Sequence, residues 1–173
     1  ADILVTGRSA GILSNALPSR PTLCRKVVLH DAAPAFDPVG IAAHTASIQR
    51  DPEPTDWNTA ATQLPDTRAW LAERSHDEKL AYAKTIWRDD DGKPVRDRSR
   101  DLIRASNSGS FDDKQAEYWK EFAVLKDRPV LLVHGEHSKL VTDNEISRTR
   151  DALGNSLTMM EAEGQGHPPE LAI

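Results

Sequence analysis

Ile3-Leu4-Val5-Thr6-Gly7-Arg8-Ser9-Ala10-Gly11 carries a short apolar run straight into a G-x-S-x-G pentapeptide. An apolar run that stops at a glycine reads as a strand ending in a turn. Small residues around Ser9 let the backbone double back into a helix, and glycine tolerates the dihedral angles such a turn needs. A serine held there has its hydroxyl lifted clear of the sheet, so strained backbone angles are expected at Ser9 itself. The weak helix that follows, 12–17, is ended by Pro18, whose ring cannot continue it. The same sequence of apolar run and small-residue loop recurs further on. It appears in Lys26-Val27-Val28-Leu29-His30-Asp31-Ala32-Ala33-Pro34 and in Val130-Leu131-Leu132-Val133-His134-Gly135-Glu136-His137-Ser138. It appears again where Leu157-Thr158-Met159-Met160 leads to Gly164-Gln165-Gly166-His167. Four strands are therefore expected, at 3–5, 26–29, 130–133 and 157–160, forming a parallel sheet in sequential order. A helix over 143–153 precedes the last of them, with Gly154 as its C-cap.

These blocks, in this order, resemble the C-terminal part of the α/β-hydrolase fold family, from nucleophile elbow to catalytic-histidine loop, over nearly the whole chain. The resemblance implies an α/β protein: a partial parallel sheet with a helical lid inserted after its second strand. It divides the chain into a core of residues 1–35 and 127–173 and a lid of residues 36–126. It also implies a serine hydrolase acting on an ester or on a carbon–carbon bond next to a carbonyl. Esterases and carbon–carbon hydrolases share these motifs. Ser9 would be the nucleophile and His167 the base that takes its proton. The backbone N–H of Ala10 would donate to the oxyanion.

The acid departs from the family pattern. After a loop like Gly135-Glu136-His137-Ser138 the next residue is usually the triad aspartate, and here it is Lys139. A cation cannot accept a hydrogen bond from imidazole, and it disfavours the protonated ring. Asp31, Glu136 and Asp143 are the carboxylates to weigh. Asp143 opens a helix and reads as its N-cap; Glu136 shares the loop; Asp31, at the end of the preceding strand, is the favoured stand-in.

The middle region is read as helical, with helices near 39–49, 56–63, 66–74, 77–88 and 113–126 and no strand. Asp89-Asp90-Asp91-Gly92 reads as a turn after the fourth helix, and 96–104 as a solvated helix face. All aromatics (four Trp, two Tyr and three Phe) lie between Phe36 and Phe122. Trp57, Trp70, Trp87 and Trp119 are expected to pack lid helices, with one or two facing a small apolar ester or ketone-type substrate.

With 22 basic and 27 acidic residues the chain carries −5, which argues against a nucleic-acid binder held by phosphate neutralisation. No run nears the about 20 apolar residues that span a bilayer, and none reads as a signal peptide. The lone Cys24 makes no internal disulfide, which fits a cytoplasmic protein. No cofactor is implied and no metal site is expected: His134, Glu136 and His137 lack a third histidine or a cysteine nearby. The chain begins inside a strand without methionine, and the family's early strands have no counterpart in it. The strand at 3–5 is thus expected at a sheet edge, covered by an N-terminal segment or by a second copy. Lys139, the missing strands, Ser14 and Asn15 keep a second class open: a non-catalytic, degenerate fragment with a binding or structural role.

Overall fold

The computed structural model describes residues 1–49, 53–64, 68–96 and 115–171. The chain divides into two units, Ala1–Ala42 with Ser110–Ile173, and Ala43–Gly109.

The first unit is built on a four-stranded, all-parallel sheet of order β1-β2-β5-β6. Its strands are β1 (Asp2–Thr6), β2 (Lys26–His30), β5 (Val130–Gly135) and β6 (Leu157–Ala162). Sequential order and parallel pairing match the sequence reading. Register runs Val5↔Leu29, Leu29↔Leu132 and Leu132↔Met159, so the C-terminal ends of the strands fall together. The two middle strands are apolar along nearly their whole length, as parallel strands covered on both faces must be. Val27, Leu29, Val130 and Leu132 are all buried.

Helix α1 (Ser9–Ala16) leaves β1 and buries Ala10, Gly11, Leu13 and Ser14. Ser14, polar in an apolar face, is satisfied within the helix by donating to the Ala10 carbonyl at 2.9 Å. Asn15 is exposed. Neither residue therefore departs from ordinary helix packing. Helix α6 (Asp143–Leu153) is amphipathic and ends at Gly154 with φ +53°, as read from the sequence. Its N-cap is Thr142 rather than Asp143, because Thr142 and Glu145 form a capping box.

Aromatics also correct the sequence reading. Helix α5 (Gln115–Phe122) packs in the sheet unit, where Trp119 stacks edge-on against Phe122 with centroids 5.9 Å apart. Phe36 joins the same core.

The second unit holds α3 (Trp57–Gln63), α4 (His76–Ile86) and the tail of α2 (Pro38–Gln49). It has its own core of Ala60, Leu64, Leu71, Tyr82, Ala83 and Trp87, with Trp57 and Trp70 packed against it. Over 66–74 the described structure is a single 3₁₀ turn, Ala69–Leu71. The region also contains strands, against expectation: β3 (Trp87–Asp90) and β4 (Lys93–Arg96) pair antiparallel. Asp91 and Gly92 turn between them, with φ of +55° and +81°. Asp-Gly with two positive φ values is the sequence of a tight hairpin. Most of the solvated face read at 96–104 lies outside the described residues.

Candidate functional site

The ends of β1, β2 and β5 carry Thr6, His30 with Asp31, and His134. β2 finishes in His30 and Asp31. Asp31 is fully buried, takes φ +44°, and donates its N–H to the Val133 carbonyl at 2.7 Å. A non-glycine residue in the left-handed region is uncommon and needs surrounding structure to hold it. Here the carboxylate supplies that structure. Its Oδ2 accepts from His167 Nδ1 at 2.6 Å, and its Oδ1 accepts from His134 Nδ1 at 2.9 Å and from the Gly135 N–H at 3.4 Å.

Burial pushes the Asp31 pKa up. The hydrogen bonds from His134 and His167, the charge of His167 and a hydrogen bond from Ser138 outweigh it, so the carboxyl lies below its ordinary value. His134 moves the other way. Its hydrogen bond to Asp31 is the largest influence, and against the opposing effect of burial it raises the imidazole above its ordinary value.

His167 sits on the loop after β6, and several contacts hold that loop. His30 Nε2 donates to the Pro169 carbonyl at 2.6 Å. A carbonyl only accepts, so the His30 proton is on Nε2 and Nδ1 accepts from the Thr6 hydroxyl at 3.1 Å. The Gly164 N–H donates to Glu136 at 2.7 Å, and the His137 N–H to the Gln165 carbonyl at 2.7 Å. β5 and this loop pass so close that a Cβ on Gly135 would lie 2.2 Å from the Gly166 oxygen.

The structure thus brings Asp31 and His167 together from opposite ends of the chain. Of the other carboxylates weighed, Glu136 faces the loop backbone and Asp143 occupies the first turn of α6, exposed. Ser9 is the first residue of α1 and is exposed, while Ala10 is buried behind it. The positive φ in this turn belongs to Gly7, at +52°, and not to Ser9. The strand runs one residue past the aliphatic run, to Thr6, so the sharp bend falls on the first glycine of the pentapeptide. Sequence reasoning passed over Gly7 as a flanking residue, and it weighed His134 only as a metal ligand. That two histidines follow the ends of apolar runs, with an aspartate at the end of a third, was the available signal.

A mainly apolar cavity of about 310 Å³ adjoins α1, lined by Arg8, Gly11, Ile12, Phe36, Ile41 and Tyr118 among others. Arg8 stands between Gly7 and Ser9 in the chain. The aromatic walls here are Phe36 and Tyr118, not tryptophans. Among the described residues no group of three metal-ligating side chains occurs, and no helix is long and apolar enough to cross a membrane.

No protein-family model matches the sequence, and no curated protein matches it. Solved structures do. An α/β hydrolase from Novosphingobium aromaticivorans superposes with a TM-score of 0.72 at 17% identity, covering 97% of this chain and 59% of that one. E-2-(acetamidomethylene)succinate hydrolase gives 0.70 at 20% identity, covering 96% and 59%. A monoacylglycerol lipase from Paleococcus ferrophilus gives 0.51 at 19%, covering 96% and 59%. The chain has the α/β-hydrolase fold, and it spans about three fifths of the length of these structures.

Proposed function

We propose that this chain is a hydrolase that cleaves an ester, or a carbon–carbon bond next to a carbonyl, with His167 as general base and Asp31 as the acid that orients it. The observation that carries this reading is the 2.6 Å hydrogen bond from His167 Nδ1 to a fully buried, ionised Asp31. With the proton fixed on Nδ1, the other ring nitrogen, Nε2, is the basic one. It takes a proton from an attacking oxygen as that oxygen adds to the carbonyl carbon, then returns it to the leaving group. Asp31 stabilises the imidazolium between the two steps. The Ala10 N–H, in the first turn of α1, is the donor assigned to the oxyanion, which it would meet by giving up its long 3.5 Å hydrogen bond to the Gly7 carbonyl. The Ser9 hydroxyl and a water molecule are the two candidates for the attacking oxygen. The cavity beside Arg8 provides apolar walls for a small acyl or ketone group.

The test is hydrolysis of p-nitrophenyl acetate by the purified chain and its variants. Asp31→Asn keeps the shape but withdraws the carboxylate charge, and kcat should fall by about 10³–10⁴-fold, as for triad acids elsewhere. His167→Ala should fall as far. Parent-like turnover in both variants would leave the chain as a binding or structural protein with a hydrolase fold.

A further inference from the structure

We infer that the residue facing the base is Gly7, and that His167 therefore activates a water molecule above Gly7 rather than a serine hydroxyl. This rests on the reading of Asp31 and His167 as an acid–base pair. Three observations carry it. First, the bend between β1 and α1 is at Gly7, with φ +52°; Ser9 already belongs to the helix. Second, an ideal Cβ on Gly7 would lie 3.2 Å from His167 Cε1 and 3.3 Å from His167 Nε2. A side chain at position 7 would therefore meet the Cε1–Nε2 edge of the ring, the edge that carries the nitrogen not bound to Asp31. Third, Ser9 is exposed, and its hydroxyl makes no hydrogen bond among the described residues.

The bond changes follow from that placement. In the place a hydroxymethyl group would take on residue 7, a water oxygen reaches Nε2 at a hydrogen-bonding distance of roughly 2.8–3.0 Å. His167 Nε2 accepts one proton from this water. The oxygen lone pair forms the new bond to the carbonyl carbon, and the π pair moves onto the carbonyl oxygen. When that pair returns, the bond to the leaving group breaks, and the leaving group takes the proton from Nε2. No covalent enzyme intermediate forms, and the products are the acid and the leaving alcohol, or the protonated carbon fragment.

The experiment pairs p-nitrophenyl acetate turnover with labelling by a fluorophosphonate probe, located by peptide mass. In the parent chain the expected result is turnover that depends on His167, no initial burst of p-nitrophenol, and no adduct on Ser9. An adduct on Ser9, or a loss of about 100-fold or more in Ser9→Ala, would overturn the inference while leaving the acid–base pair intact. Turnover that ignores His167→Ala would instead remove the hydrolase reading and this inference with it. Gly7→Ser supplies the positive arm: a folded variant should gain a probe adduct at position 7 and a burst of about one p-nitrophenol per chain. A folded Gly7→Ser chain that stays unlabelled would overturn the placement. If it does not fold, the parent and Ser9→Ala arms still decide.

Discussion

Asp31 holds two imidazoles on one carboxylate, and the second ring has a job of its own. His134 donates to Oδ1 while His167 donates to Oδ2, so the carboxylate plane is fixed at both ends. The linkage to stability has opposite signs for the two partners. Asp31 is lowered in the folded chain, so its contribution is present above the unfolded carboxyl value and is lost as pH falls through the lower folded value. His134 is raised above 6.5, so its contribution is full below 6.5 and is lost as pH rises through the higher folded value. The thermal midpoint should therefore sag as pH rises above 6.5, on the alkaline limb, as well as in acid. His134→Asn keeps a donor near Nδ1 but cannot ionise. It should flatten the alkaline sag while leaving the acid limb, with circular dichroism from about pH 2 to pH 9 as the readout. An unchanged alkaline slope in that variant would assign the sag to other groups. The meeting of Asp31 with His167 was legible in the sequence because each follows an apolar run, whereas that of Asp31 with His134 was not read. The role of Gly7 was not, since it depends on whether the strand stops at Val5 or at Thr6. A one-residue shift at a strand end moves the bend from one small residue to the next, and no periodicity in a run this short fixes that end.

At the scale of elements, close approach between backbones sets the geometry of the site. β5 meets the His167 loop at Gly135, where any Cβ would sit 2.2 Å from the Gly166 carbonyl oxygen. Backbone cannot yield there as a flexible side chain would. Gly135→Ala should therefore destabilise the fold by about 1–3 kcal/mol or more, by overpacking. It should also lower turnover, because the loop that moves carries His167. Gly92→Ala is the control. Its φ is +81° but nothing lies within 4 Å of the added carbon, so only the backbone cost of roughly 1–2 kcal/mol applies, and turnover should hold. Urea unfolding with parallel kinetics separates the two. Equal turnover losses, or a Gly135→Ala chain as stable as the parent, would show that the loop can adapt. The hairpin of β3 and β4 shows where elements were missed. Asp91-Gly92 is a strong hairpin signal, but the flanking Trp87-Arg88-Asp89-Asp90 and Lys93-Pro94-Val95-Arg96 are largely polar and lack the alternation of a half-buried strand. Trp87 and Pro94 are the buried exceptions, and Trp87 binds the hairpin to the core of the second unit. Asp89 fastens it further by accepting from Trp57 Nε1 at 2.9 Å.

At the scale of the molecule, β1 pairs among the described residues with one strand, β2. β1 lies at the end of the strand order, and Leu4 on it is 49% exposed. Ile12 on α1, the helix that follows β1, is 71% exposed. An apolar edge of a parallel sheet, with unpaired N–H and C=O groups along it, is a template for another chain. The chain should therefore associate with itself at high concentration through this edge. Leu4→Lys places a charge where an incoming strand would pack, the device by which natural edges are kept single. It removes little buried area, so the thermal midpoint should stay close to that of the parent. Sedimentation velocity over a concentration series is the measurement. The parent should shift to larger species as concentration rises, and Leu4→Lys should remain at the smaller one. Met160 tests the other edge: it is 57% exposed on β6, at the opposite end of the strand order. If Met160→Lys suppresses association and Leu4→Lys does not, the sticky edge is β6. The site is then uninvolved; pairing at β1 would involve it, because Gly7 follows directly from β1 and any strand added there would run beside the turn that faces His167. A chain that pairs through β1 should accordingly lose or gain esterase turnover with concentration, and one that pairs through β6 should show turnover strictly proportional to the amount of protein.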